Sequence, residues 1–218
     1  WLLVGLLLPL HAGADVLTGV VTTKVRPGTP AASVVVYAEP ATGAAPARES
    51  KPVSLSQKNK AFAPRVLGVP VGTAVTFPND DDIFHNVFSL SPGHAFDLGL
   101  YRAGASKSRT FAAPGLVRVF CNIHPQMTAL IVSVATPWVT SAGADGAWRL
   151  DLPPGRYKVT AVSERAAPET IDVTVAGATT AAPVTLYESV SVAAPHTNKF
   201  GKPYPASAYK QQQQQQQQ

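Results

Sequence analysis

Short apolar stretches, each cut off by Pro, Gly, Asn or Asp, follow one another along most of the chain. Residues 156–163 alternate Tyr, Val, Ala and Val with polar residues, the period-two pattern of a half-buried strand. The same reading predicts strands at 17–25, 32–38, 63–71, 74–77, 85–90, 106–111, 116–121, 128–134, 147–152, 171–175 and 184–187. Turn residues separate them: Pro27-Gly28, the polar run 78–82, Pro92-Gly93, Pro114-Gly115, Asp145-Gly146 and Pro154-Gly155. The Pro114-Gly115 turn predicts a hairpin between 106–111 and 116–121. Residues 41–52, rich in Ala, Pro and charge, read as a loop or linker. No long helix is needed anywhere, and the fold class is all-β.

Composition agrees, because 20 Pro and 16 Gly in 218 residues disfavour long helices. The net charge of +5 comes from scattered Lys and Arg. No basic run with interleaved aromatics is present, which argues against a nucleic-acid partner. The opening run WLLVGLLLPLHAGA resembles the apolar core and small-residue cleavage site of a secretory signal, truncated at its start. It is too short, and too soon interrupted by Pro9 and His11, to span a membrane comfortably. The expectation is an exported, periplasmic protein with no stable membrane insertion once residues 1–14 are removed; the alternative is an uncleaved anchor. Residues 191–218, ending in eight Gln, read as a disordered tail.

Export gives the one Cys a particular meaning. A lone thiol in an oxidising compartment is a liability unless it is buried or ligates a metal. Cys121 stands in CNIHPQM with His124 and the only Met, Met127. Two imidazoles, one thiolate and a weak thioether make a blue-copper site. The missing imidazole falls to His85, which opens a strand directly after a turn. Asn86 can hold the two ligand loops together by hydrogen bonds. Zinc suits this set less well, since Met is a poor zinc ligand. His94, after a Pro-Gly turn, and His196, in the tail, read as solvent-exposed. The three acids Asp80, Asp81 and Asp82 read as a solvated turn; if they point inward they would favour Cu(II).

The quoted segments FAPRVLGVPVGTAVTFPNDD, HNVFS and FAAPGLVRVFCNIHPQM resemble a cupredoxin, with the short ligand loop of the amicyanin type. This resemblance covers about a third of the chain. It implies a Greek-key β-sandwich at 57–135 and one mononuclear type 1 copper held by His85, Cys121, His124 and Met127. Asn86 and Pro125 match the family's residues beside the ligands. The whole chain is also similar to exported proteins called methylamine-utilisation proteins. The flanks, GVVTTKVRPGTPAASVVVYAEP and GADGAWRLDLPPGRYKVTAV, resemble a carboxypeptidase-regulatory-like (transthyretin-like) β-sandwich, smaller than the first and split between 15–56 and 136–190. A rival arrangement gives the first two strands to the cupredoxin sheet. The resemblance implies a one-electron carrier that is not an enzyme and that meets a redox partner near His124. Copper delivery without redox cycling, or an envelope interaction protein with a structural copper, are the alternatives.

Overall fold

The computed structural model describes residues 14–25, 32–47, 50–188 and 196–204. The signal-like run up to residue 13 and the poly-Gln end therefore lie outside the described residues, as do 189–195. All regular structure among the described residues is β. Among the described residues no helix is long and apolar enough to cross a membrane.

Two sandwiches share the chain. The first is made from its two ends: β1 (Asp15–Lys24), β2 (Val34–Pro40), β13 (Val139–Ser141), β14 (Ala147–Leu152), β15 (Gly155–Ser163), β16 (Glu169–Val175), β17 (Thr179–Thr180) and β18 (Val184–Tyr187). One sheet runs β14-β1-β17, with β18 also pairing β1, and the other runs β13-β2-β15-β16. Thus β1 and β2 pair with the C-terminal strands. Alternation drives the closure: Leu17 and Val21 on β1 face inward with Trp148, Leu150 and Leu152 on β14, against Val36 and Val159 of the other sheet.

Between β2 and β13 the chain builds the second sandwich. Its strands are β3 (Val53–Ser54), the hairpin β4 (Ser56–Lys58) and β5 (Ala61–Ala63), β6 (Val66–Pro70), β7 (Ala74–Pro78), β8 (His85–Ser89), β9 (Phe96–Tyr101), β10 (Ser106–Thr110), β11 (Gly115–Phe120) and β12 (Thr128–Val134). The sheets are β10-β7-β3 and β6-β12-β11-β8-β9. Leu55, Phe62, Phe77, Phe111, Val119 and Ile131 fill the space between them, with Cys121 and Met127 in the same core.

The expected hairpin at Pro114-Gly115 does not form. β10 pairs β7, whereas β11 pairs β12 and β8 in the opposite sheet. Residues 111–114 are a crossover, pinned by Phe111, which is buried between the sheets. β9 escaped the sequence reading because Phe96–Tyr101 carries an Asp and a left-handed Gly99 (φ 69°), both poor strand signals.

Every residue of β12 is buried. Ala129 and Ile131 enter the second core, while Leu130, Val132 and Val134 meet Val35, Val66 and Val162 at the junction of the sandwiches. A strand covered on both faces reads as a continuous apolar run. At that junction Gly68 of β6 admits the first sandwich closely: a Cβ there would lie 2.5 Å from Val139 Cγ2 and 2.6 Å from Val35 Cγ1. Arg65 adds a two-pronged contact to Glu164, with Nε–Oε1 at 3.0 Å and Nη2–Oε2 at 2.9 Å.

Candidate metal centre

β8 starts at His85 and β11 ends one residue before Cys121, and the two strands are antiparallel neighbours through Phe88 and Phe120. Strand pairing therefore brings the head of one beside the foot of the other. The 121–127 loop closes on itself: the Met127 amide donates to His124 O at 2.9 Å, and the Cys121 amide to Met127 O at 3.2 Å. Asn86 Oδ1 accepts the Asn122 amide at 3.3 Å, which joins the His85 and Cys121 segments, and its Nδ2 donates to Asp97 Oδ1 at 2.7 Å.

These constraints place three donors together. Cys121 Sγ lies 3.8 Å from His85 Nδ1 and 3.7 Å from His124 Nδ1, and the two Nδ1 atoms are 3.1 Å apart. An ion with bonds of about 2.0–2.1 Å to nitrogen and about 2.3 Å to sulfur spans at most ~4.4 Å between such donors. All three separations fall inside that span, so one ion can touch all three atoms. The donor set, two imidazoles and a thiolate, suits copper or zinc. His85, Cys121 and Met127 are buried and His124 is half-buried.

The protonation chemistry suits a cation. Burial pushes the Cys121 thiol up, with nearby backbone amides opposing it, so a thiolate here calls for a positive partner. Burial, then the neighbouring His85 and Lys60, depress His124 to about 4 against a weaker opposing pull from Asp81. At neutral pH it is a neutral imidazole with a lone pair to give.

One of the three acids turns inward, contrary to the solvated turn expected. Asp80 and Asp82 are exposed, but Asp81 Oδ2 sits 2.7 Å from His85 Nε2. The same carboxylate accepts the amides of Asn59 at 2.6 Å and Lys60 at 2.9 Å. Burial works to raise Asp81, yet the Lys60 amide, His85 and the Asn59 amide together hold it below the usual carboxylate range.

Two histidines expected in solvent are not there. His94 is buried, its Nε2 donating to Pro114 O at 3.1 Å, and its ring occupies the place a Cβ on Gly115 would take. His196 is half-buried and stacks on Phe120 with ring centroids 4.0 Å apart, and its Nε2 donates to Pro125 O at 2.9 Å. It belongs to an ordered strap, 196–204, inside the tail expected to be disordered. Lys199 donates its amide to Asn122 Oδ1 at 3.0 Å and its Nζ to Asp97 Oδ2 at 2.7 Å. Tyr204 donates to Cys121 O at 3.4 Å. The signal was present in the sequence: HTNKFGKPY carries aromatics and cations, unlike the Gln run after it.

Comparison with known proteins follows this geometry. No family model matches the chain, and no curated protein does. Among solved structures, it is similar to a purple cupredoxin from Nitrosopumilus maritimus at 24% identity and TM-score 0.34, covering 38% of this chain and 99% of that one. A copper-containing nitrite reductase from Thermus scotoductus is similar at 29% identity and TM-score 0.38, covering 44% of this chain but only 25% of that one. A reduced amicyanin variant is similar at 24% identity and TM-score 0.36, covering 37% of this chain and 80% of that one.

Proposed function

We propose that the protein is an exported type 1 copper protein that carries one electron at a time in the periplasm. The observation that carries this reading is the convergence of His85 Nδ1, Cys121 Sγ and His124 Nδ1 within 3.8 Å of one another, from two loops held together by Asn86. Met127, buried in the same loop, would offer a thioether as a weak fourth ligand, giving a donor set suited to both oxidation states. A bound copper would supply reversible Cu(II)/Cu(I) exchange, taking an electron from a reduced protein and passing it to an oxidised one.

The chain's own part is to keep the donors fixed. His85 and Cys121 are locked by strand pairing and burial, so little rearrangement accompanies the change of charge. Four protein ligands leave no position for a substrate, which favours a carrier over an enzyme. His124 is the ligand closest to solvent. Beside it in sequence Ile123 is 47% exposed, and beside His85 Phe84 is 54% exposed. Apolar residues flanking a half-buried ligand suit a transient redox partner. The strap contacts Cys121, Asn122 and Pro125 and leaves Ile123 exposed, so docking would fall on the Ile123 face. The outer sandwich would serve as a structural or docking module of the carboxypeptidase-regulatory-like kind.

The test is an optical spectrum of the copper-loaded oxidised protein. An intense thiolate-to-copper band that bleaches reversibly with reductant, and that Cys121→Ser abolishes, is the expected result. A colourless protein that binds only Cu(I) would mean copper delivery instead. A coloured protein that no reductant bleaches would mean a structural copper. Colour that survives in Cys121→Ser refutes the ligand assignment.

A further inference from the structure

We propose that Asp81 is a positioning residue for the metal centre, fixing the His85 tautomer and biasing bound copper toward Cu(II). The inference rests on the copper reading above and deepens it.

A carboxylate only accepts hydrogen bonds, so at 2.7 Å His85 Nε2 is the donor. In the neutral ring this leaves Nδ1 with its lone pair, and Nδ1 is the atom that faces Cys121 and His124. The orientation of the ring and the identity of its donor atom are thereby set by the same contact.

The carboxylate is itself anchored. β4 and β5 are joined by the two-residue turn Asn59-Lys60, and both residues are left-handed with φ 54°. Two successive residues with positive φ are the signature of the type I′ hairpin turn, costly for a non-Gly residue such as Lys60. Here both turn amides converge on Asp81, one on each oxygen. Asp81 is thus held at three points, two from the hairpin and one from the ligand ring. Its neighbours Asp80 and Asp82 are exposed and make no such contact with the ring.

The sign of the electronic effect follows from charge. A thiolate site carries a net +1 with Cu(II) and is neutral with Cu(I). A half-buried anion on the outer nitrogen of a ligand imidazole stabilises the more positive state and strengthens the ligand as a donor. The His85 side chain has 0% exposure and Asp81 11%, so water screens this little.

The experiment compares wild type, Asp81→Asn and Asp82→Asn, the last removing an equal charge from the same turn without touching the ring. In the copper-loaded proteins, Asp81→Asn should raise the reduction potential, and Asp82→Asn should leave it near wild type. Affinity for Zn(II), which needs no redox cycle, should fall about 10–100-fold in Asp81→Asn alone. Equal shifts in both variants, or a lowered potential in Asp81→Asn, would overturn the proposal. Since Asp81→Asn also puts an amide opposite the Asn59 and Lys60 donors and can fail to fold, metal-free wild type supplies a separate readout. Its imidazole nitrogens, followed by NMR, should show His85 as the Nε2–H tautomer with a slowly exchanging proton. An Nδ1–H tautomer overturns the proposal. Failure of the copper reading would appear instead as a wild type without the thiolate band, with the tautomer and the Zn(II) comparison still informative.

Discussion

Replacing His196 by Ala should loosen the strap and leave both sandwiches folded. The ring removed stacks on Phe120 at 4.0 Å and 21°, a contact worth about 0.5–1.5 kcal/mol. It also donates the hydrogen bond to Pro125 O, worth about 0.5–1.5 kcal/mol. The two together give ~1–3 kcal/mol, which corresponds to an open-strap population raised about 5–150-fold. What remains includes the Lys199 amide on Asn122 Oδ1, the Tyr204 hydroxyl on Cys121 O, and the Lys199 pair with Asp97, whose side chains are 26% and 38% exposed and which contributes only about 0.2–1 kcal/mol. Hydrogen exchange reads this directly. The Lys199 amide, bonded to Asn122 Oδ1, should lose protection by that factor, while strand amides of β12 keep theirs. Removal of the metal by an external chelator should quicken as well, because the strap lies on the ligand loop. Unchanged exchange at Lys199 would refute the reasoning, and so would a matching loss in β12, since that means global destabilisation.

Gly68→Ala should cost about 1–3 kcal/mol by overpacking the junction, and at about 2–4 °C per kcal/mol the melting temperature should drop visibly. An unchanged melting curve would show that Val35 and Val139 give way freely. For the metal-free protein, stability should decline as pH falls from about 6.5 to about 4, because the unfolded chain protonates His124 while the folded one, depressed to about 4, does not. Urea unfolding at several pH values measures this, and a His124→Asn variant with the same slope would refute the assignment.

Much of this was legible because strands announce themselves by alternation and candidate metal donors by residue type. Leu17 and Val21 against Trp148 and Leu152 follow from period two alone. Cys121, His124 and Met127 lie in one short loop, and His85 opens a strand that must end beside it. What was hidden depends on partners far along the chain. Nothing local to Ser106–Thr110 says that it pairs β7 in place of β11. Asp81 looks like its two neighbours until the Asn59-Lys60 turn is placed against it. His196 needed Phe120 and Pro125 in view before its stacking and hydrogen bond could be seen. His94 looked exposed because turns are usually wet, yet Gly115 leaves room for its ring.

The pairing of β2 with β13 bears on how such a chain can be assembled and taken apart. Val139 is opposite Tyr37, and the Ala38 amide donates to Trp138 O at 3.0 Å, so the strand that leaves the outer sandwich and the strand that re-enters it are adjacent. A chain made from its N-terminus lays down β1 and β2 first, but they cannot close their sheets until β13 to β18 exist. The inner sandwich, contiguous in sequence, is free to fold in the interval, leaving β1 and β2 waiting. Adjacency also makes the inner sandwich excisable: a short turn from β2 to β13 would rejoin the outer one, provided Val35 and Val162, then bared, were made polar.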